Sequence, residues 1–312
     1  MRIFSFIRMI CLLCVLLLLI SCGGADADDA VSTVPYRTET DTSHVVNTEP
    51  AEETTVHTEE QTTIPETTAA ATTAPMPQLT ESAEPEETAA VTVPIDPAVY
   101  FENNLFVGDS ILEGLAQYVR AQRQNGAELL SDAKFLTSIM GIRVADLVGD
   151  TADYERIRYQ YRGAVRELSE IVTLAEPRRL FLLVGMNDLA GGASVDDTIA
   201  RYGRLLEQLK QDFPTVDLVV MTPTPKTASA WLPNYCTNPD FGSSLLREFA
   251  DRLLALCETM SVPCIDIFAA LADETGNLPD NFSRDNYVHI NDLGSAVVAD
   301  ALNRFAQEGT GT

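Results

Sequence analysis

From about Asp96 onward the chain repeats one pattern: a short run of apolar, β-branched and aromatic residues, then a longer stretch whose apolar residues recur at helical spacing. The short runs are Leu105–Val107, Lys134–Ile139, Arg179–Val184, Asp217–Met221 and Pro263–Phe268, each of strand length. The periodic stretches predict helices over Ile111–Arg123, Tyr161–Leu174, Val195–Asp212, Ser243–Met260 and Asp292–Gln307. Pro177 and Pro214 fall just before the third and fourth runs, where the preceding helices must stop. Ser194, with Asp197 three residues on, has the arrangement of a capping box. Strands that alternate with helices pair in parallel through right-handed crossovers, so the expected fold is a three-layer α/β/α domain with a five-stranded parallel sheet. Roughly 215 residues are ample for one such domain.

The residues before this pattern are of a different kind. Arg2 and Arg8 flank an apolar run from Met9 to Ile20, too short for an ordinary transmembrane helix but suited to a signal peptide over residues 1–21. The run ends Leu19-Ile20-Ser21-Cys22, which resembles a bacterial lipobox; the resemblance implies cleavage before Cys22 and its acylation, for instance by palmitate. Acyl chains there would contribute about 0.8 kcal/mol per buried methylene. Residues 22–95 are rich in Thr, Glu, Pro and Ala; between Ala25 and Ile95 stand 15 acidic residues and one basic residue, Arg37. Such a tract buries too little apolar surface to offset its ordering entropy, and it reads as an extended, self-repelling tether. The expected location is extracytoplasmic, lipid-anchored to a bacterial cell membrane.

The formal charge of −25 divides unevenly: the leader carries +2 and the tether −14, leaving −13 for residues 96–312. No basic stripe accompanies that acidic balance, so nucleic acid is not an expected partner. Of six cysteines, Cys11 and Cys14 lie in the leader and Cys22 is the expected acylation site, leaving Cys236, Cys257 and Cys264. An odd number forbids a complete disulfide framework. Cys257 and Cys264 read as buried apolar residues, and Cys236 lies in a loop.

The unusual residues gather where the strands end. The first run ends in Gly108-Asp109-Ser110, the second runs on to Gly141, and the third ends in Gly185-Met186-Asn187-Asp188. After the fifth comes Ser283-Arg284-Asp285-Asn286-Tyr287-Val288-His289. In a parallel sheet all four loops open on the edge where ligands bind. Ser110 is either a helix cap or a nucleophile at a helix start. Ester hydrolysis needs a hydroxyl, a base, an orienting group and oxyanion donors. Ser110 supplies the hydroxyl. His289, the one histidine after residue 95, supplies the base. Asp285 is a candidate orienting group, and the amide of Asn187 with the backbone N–H groups of Ser110 and Gly141 are the candidate oxyanion donors. Taken singly, each has a plainer explanation as a turn, a cap or a solvated acid. One histidine and no clustered cysteines offer poor ligands for zinc, and no glycine-rich phosphate cradle occurs, so neither a metal nor another cofactor is expected.

GDSI at 108–111, Gly141, GMND at 185–188 and the late Asp/His pair resemble the four blocks of the SGNH hydrolases, the GDSL esterase/lipase family, over residues from about 104 to 305. The resemblance implies a flavodoxin-like α/β/α fold and cleavage of carboxylic esters such as acyl lipids, acetylated sugars and acetylated wall polymers. It implies Ser110 as nucleophile and donor, Gly141 and Asn187 as further donors, and His289 as base. Two positions depart from the pattern. The family's acid usually stands three residues before the histidine, a position held here by Asn286; Asp285 stands four before. Either the loop carries one extra residue and Asp285 takes the role, or Asn286 does so poorly, or a Ser110–His289 dyad works with a backbone carbonyl as orienter. Gly141 lacks the second glycine common in that block and is followed by Ile142-Arg143-Val144, so the donor there is either Gly141 or another backbone N–H. Three readings follow: a cell-surface serine esterase for acetyl or short acyl esters, a non-catalytic glycan- or wall-binding module, or an O-acyltransferase. Trp231 and Tyr235, in the loop after the fourth run, stand either as an aromatic platform of the kind that suits sugars or as packing within their own loop.

Overall fold

The computed structural model describes residues 96–138, 141–150 and 159–308. The leader, Cys22, the tether up to residue 95, and Ile139 lie outside the described residues. The described strands are β1 (Asn104–Gly108), β2 (Lys134–Thr137), β3 (Tyr159–Tyr161), β4 (Ala164–Arg166), β5 (Arg179–Leu183), β6 (Asp217–Met221) and β7 (Cys264–Ile265). The helices between and around them are α1 (Pro97–Tyr100), α2 (Ser110–Gln124), α3 (Val144–Leu147), α4 (Leu168–Ala175), α5 (Met186–Ala190), α6 (Val195–Asp212), α7 (Ser243–Thr259), α8 (Ile267–Leu271) and α9 (Asp292–Glu308).

Five strands form one parallel sheet in the order β2-β1-β5-β6-β7. Both faces are covered, so the strands read as continuous apolar runs rather than as alternating ones. All five residues of β1 are buried. Helices α2 and α9 pack on each other, and α6 packs on α3 and α7. In-register pairing lines up Phe135, Phe106 and Phe181 across β2, β1 and β5. Their rings stack, with centroids 5.0 Å apart for Phe106–Phe135 and 4.2 Å for Phe106–Phe181. This aromatic ladder pins the register of the three strands that carry the site loops. The order of the sheet reverses between β1 and β5, and the loops leaving those two strands therefore diverge around a crevice.

Two of the expected elements are corrected. The helix expected over Tyr161–Leu174 is instead the β3–β4 hairpin followed by α4, which starts only at Leu168. Arg162 and Gly163 make its two-residue turn, both with positive φ (49° and 73°), as a tight hairpin requires. Glu167 then opens the helix, its N–H donating to Glu170 Oε2 at 3.1 Å. The fifth run is also shorter than its apolar residues suggest. It stops at Ile265 because Asp266 turns the chain into α8, accepting the N–H of Ala269 at 3.0 Å. In contrast, Ser194 caps α6 as expected, accepting the N–H of Asp197 at 3.1 Å.

Candidate active site

The β1–α2 junction places Ser110 as the first residue of the helix rather than as its cap. The cap is Asp109: its backbone is extended (φ −101°, ψ −154°), and its Oδ1 accepts the N–H of Ile111 at 2.9 Å. The capping expectation thus falls on the neighbouring residue, and the Ser110 hydroxyl is left for another partner. That partner is His289, whose Nε2 lies 2.9 Å from Ser110 Oγ across 179 positions of sequence.

His289 stands on a loop bound at several points. Asp285 Oδ2 is in a short contact with His289 Nδ1. Its other oxygen, Oδ1, accepts the N–H groups of Tyr287 at 3.0 Å and His289 at 3.2 Å. The carboxylate is thereby fixed in its own loop, and an acceptor at Nδ1 favours the tautomer whose Nε2 lone pair faces the serine. Asn286 takes no part through its side chain in these contacts. It adopts the left-handed conformation (φ 58°), and its carbonyl accepts the hydroxyl of Thr227 at 2.8 Å. The N–H of Thr227 donates to the Tyr287 carbonyl at 2.8 Å, tying the loop to the chain that leaves β6. Asn291 closes the loop by accepting the N–H groups of Leu293 and Gly294 at 3.0 and 3.2 Å, at the start of α9.

The β5–α5 junction brings Asn187 to the same edge. Gly185 makes the turn with φ 112°, where a Cβ would stand 2.6 Å from the Phe249 ring. Asn187 Nδ2 donates to Asp109 Oδ2 at 2.7 Å and to the Ile142 carbonyl at 3.3 Å. Both neighbours are acceptors, so the amide's orientation is set. Gly141, with φ 72°, lies alongside; a Cβ there would be 3.4 Å from Asn187 Oδ1. The segment that follows Gly141 is held by Asp188, whose carboxylate accepts the N–H groups of Val144 at 2.7 Å and Ala145 at 3.1 Å.

Ser110, His289 and Asp285 therefore lie in one hydrogen-bonded line, and Asn187 and Gly141 meet beside the residue that precedes Ser110. Two members of this arrangement were not singled out from the residues: Asp109, which joins the Asn187 amide to the start of α2, and Asp188, which joins α5 to the Gly141 segment. The signal for Asp109 was its place immediately before a helix, where Asp is a preferred cap. Burial pushes both carboxyls up, from an ordinary 3.8 to about 6. For Asp109 the opposing effects are the Ile111 N–H and the nearby His289; for Asp188 they are the N–H groups of Val144 and Ala145. The three described cysteines are free thiols, Cys257 buried and Cys236 and Cys264 half-buried. Among the described residues, no three His, Cys, Asp or Glu side chains gather as metal ligands.

A hydroxyl, an imidazole and a carboxylate in this order can move a proton off the hydroxyl as it attacks an electrophile. The sequence profile described as the GDSL-like Lipase/Acylhydrolase family matches residues 106–297, which takes in every residue of this arrangement. No curated protein matches the chain by sequence. Among solved structures, a GDSL-like lipase from Bacteroides thetaiotaomicron is similar in fold: TM-score 0.50, 15% identity, covering 69% of this chain and 92% of that one. A catalytic mutant of an acetylxylan esterase from Geobacillus stearothermophilus gives a TM-score of 0.46 and 19% identity, over 65% of this chain and 93% of that one. The fold and the residues at its sheet edge agree with the profile: the chain belongs to the GDSL-like lipase/acylhydrolase family.

Proposed function

We propose that the chain is a serine esterase acting on carboxylic esters, with Ser110 as nucleophile, His289 as general base and Asp285 as the group that orients it. The observation that carries this reading is the 2.9 Å approach of Ser110 Oγ to His289 Nε2, with Asp285 on the far side of the ring. As Oγ attacks the ester carbonyl carbon, Nε2 takes the hydroxyl proton, and the carbonyl oxygen becomes an anion. The backbone N–H groups of Ser110 and Gly141 and one proton of the Asn187 amide receive that charge. The amide proton now spent on the Ile142 carbonyl at 3.3 Å is the weaker of its two bonds and the one to be redirected, while the 2.7 Å bond to Asp109 keeps the amide in place. The imidazolium, held by Asp285, then protonates the departing alkoxide. Water repeats the sequence on the acyl-serine and releases the acid.

The acyl group of this reading is acetyl or another short chain, carried by a glycan or a wall polymer. The protein works outside the cytoplasm on a lipid anchor at Cys22, at the end of an acidic tether. Purified protein should release p-nitrophenol from p-nitrophenyl acetate, and Ser110→Ala should abolish that release. Turnover that survives the substitution would refute the assignment. Partition of the full-length protein into detergent, lost in Cys22→Ala, tests the anchor.

A further inference from the structure

The loop between β6 and α7 leaves two large aromatic side chains outside the core: Trp231 is 54% exposed and Tyr235 63%. Packing of the loop on itself does not account for them. Pro233 is buried and Leu232 and Cys236 are half-buried, so the loop already has its own apolar anchors. Both exposed rings gather on one buried ring, that of Tyr287. Trp231 meets it at 5.6 Å and 82°, Tyr235 at 6.4 Å and 73°. An edge-to-face contact covers at most one face of each ring, which leaves flat aromatic surface toward solvent.

The position of this pair is set by the site. Tyr287 is two residues before His289, at most about 7 Å of chain, and its N–H donates to Asp285. At its other end the loop is bonded to α5, the helix that carries Asn187. The N–H groups of Thr237 and Asn238 donate to the Ala190 carbonyl at 2.9 and 3.1 Å, and Asn238 Nδ2 donates to the Leu189 carbonyl at 2.9 Å. Beneath the loop, Lys226 lies 5.6 Å from the centre of the Tyr287 ring and donates to the Thr227 carbonyl at 3.3 Å. The two rings are thus tied both to the base side and to the oxyanion side of the site.

From this arrangement we infer that Trp231 and Tyr235 form a subsite for a sugar ring of an acylated glycan, the alcohol part of the ester cleaved at Ser110. A pyranose has one face of C–H groups, which an exposed aromatic plane covers, and a rim of hydroxyls, which need hydrogen-bonding partners. The exposed amide of Asn234 stands between the two aromatics in sequence and offers both a donor and an acceptor. A long acyl chain has no such need for polar groups at the rim; it requires an enclosed apolar channel. Exposed aromatics beside a reacting centre are most economically explained by a ligand that covers them. The inference rests on the esterase reading for its reaction, but not for its binding.

Trp231 is the one tryptophan in the chain, so tryptophan emission reports this loop alone. The experiment titrates Ser110→Ala protein with neutral β-linked xylo- and gluco-oligosaccharides of two to four sugars, unacylated, and follows that emission. A saturable shift is expected, and the shift should weaken in Tyr235→Ala. In parallel, kcat/KM for an acetylated oligosaccharide is divided by that for p-nitrophenyl acetate. Removing either ring should lower this ratio roughly tenfold, chiefly through KM, the size expected for uncovering about half an aromatic side chain. An emission unmoved by millimolar oligosaccharide, or a ratio unchanged in Trp231→Ala and Tyr235→Ala, overturns the subsite. So does a loss confined to long-chain p-nitrophenyl esters, which would mark the rings as an acyl-chain site. Saturable binding without turnover of any ester would instead retain the subsite and remove the esterase reading.

Discussion

Asp109 is the residue whose replacement tests most sharply how the two halves of the site are joined. It is 2% exposed, and its two oxygens serve different elements: Oδ1 takes the Ile111 N–H at 2.9 Å and Oδ2 takes the Asn187 amide at 2.7 Å. Asp109→Ala removes a helix cap, which costs about 1 kcal/mol, and strands two buried N–H groups, at about 1–3 kcal/mol each. It also removes a buried charge. Raising this carboxyl from 3.8 to about 6 corresponds to about 3 kcal/mol against the charged form at neutral pH. These contributions oppose each other, so the folded state should survive the change with a modest net loss. The catalytic loss should be larger and has a ceiling. If Asp109 acts by holding Asn187, it cannot cost more than removing the Asn187 donor itself, about 10²–10³ in kcat. The assay is a double-mutant cycle in kcat on p-nitrophenyl acetate. Asp109→Ala should lose about ten- to a hundredfold, Asn187→Ala more, and the double variant no more than Asn187→Ala alone. If the Asp109→Ala loss is just as large when Asn187 is already gone, the coupling is absent and Asp109 acts only through α2. Asp109→Asn keeps the shape and one acceptor; it supplies the same cycle should the alanine variant prove too unstable.

Three further outcomes follow from the geometry. Asp285→Asn should lower kcat by on the order of 10³–10⁴ by removing the charge that orients the imidazole, whereas Asn286→Gly, at φ 58°, should change unfolding free energy by less than about 1 kcal/mol; parallel kinetics and urea titrations of the two variants check the contrast. Gly185→Ala meets both a φ of 112° and a Phe249 atom 2.6 Å from its new methyl, so urea denaturation should show a loss of about 2 kcal/mol or more. For pH, the folded protein holds protons on Asp109 and Asp188 more tightly than the unfolded chain, where each has its ordinary affinity near 3.8. Their contribution to stability is therefore greatest in acid, declines as pH rises from about 4 to about 6, and is level above that. Urea midpoints measured across this range should show a smaller decline in Asp109→Asn than in the unchanged protein; an equal decline would remove Asp109 as a source.

The strands at the centre of the sheet were readable in the residues because burial on both faces writes an uninterrupted apolar run, as in Arg179–Leu183 and Asp217–Met221. Shorter elements were not. In the segment 159–166, apolar spacing suited a helix as well as a hairpin, and what decided between them was a turn at Arg162-Gly163 whose first residue is not a usual turn former. At Cys264–Ile265 the apolar pattern ran past the true strand end because α8 buries Ile267 and Phe268 as fully as a strand would. The line from Ser110 through His289 to Asp285 was legible as a set of residue types in the loops after the first and fifth strands of the parallel sheet. Of Asp109 only the cap on Ile111 leaves a local mark, its place before a helix; its bond to the Asn187 amide and the contacts of Asp188 with Val144 and Ala145 join distant segments and leave none. Trp231 and Tyr235 could be noticed but not placed: exposure depends on which neighbours in the loop take the anchoring positions, and Pro233 and Leu232 took them.

The left-handed residue between the acid and the histidine has a consequence for how such chains are recognised. With one backbone unit at φ 58° between them, a carboxylate four places ahead of the imidazole reaches its Nδ1. A search that treats the interval as a fixed ruler would pass over this carboxylate–imidazole pair. Interval is a poor proxy for reach wherever an asparagine or glycine can fold the intervening chain back on itself, and dihedral angle is the better yardstick.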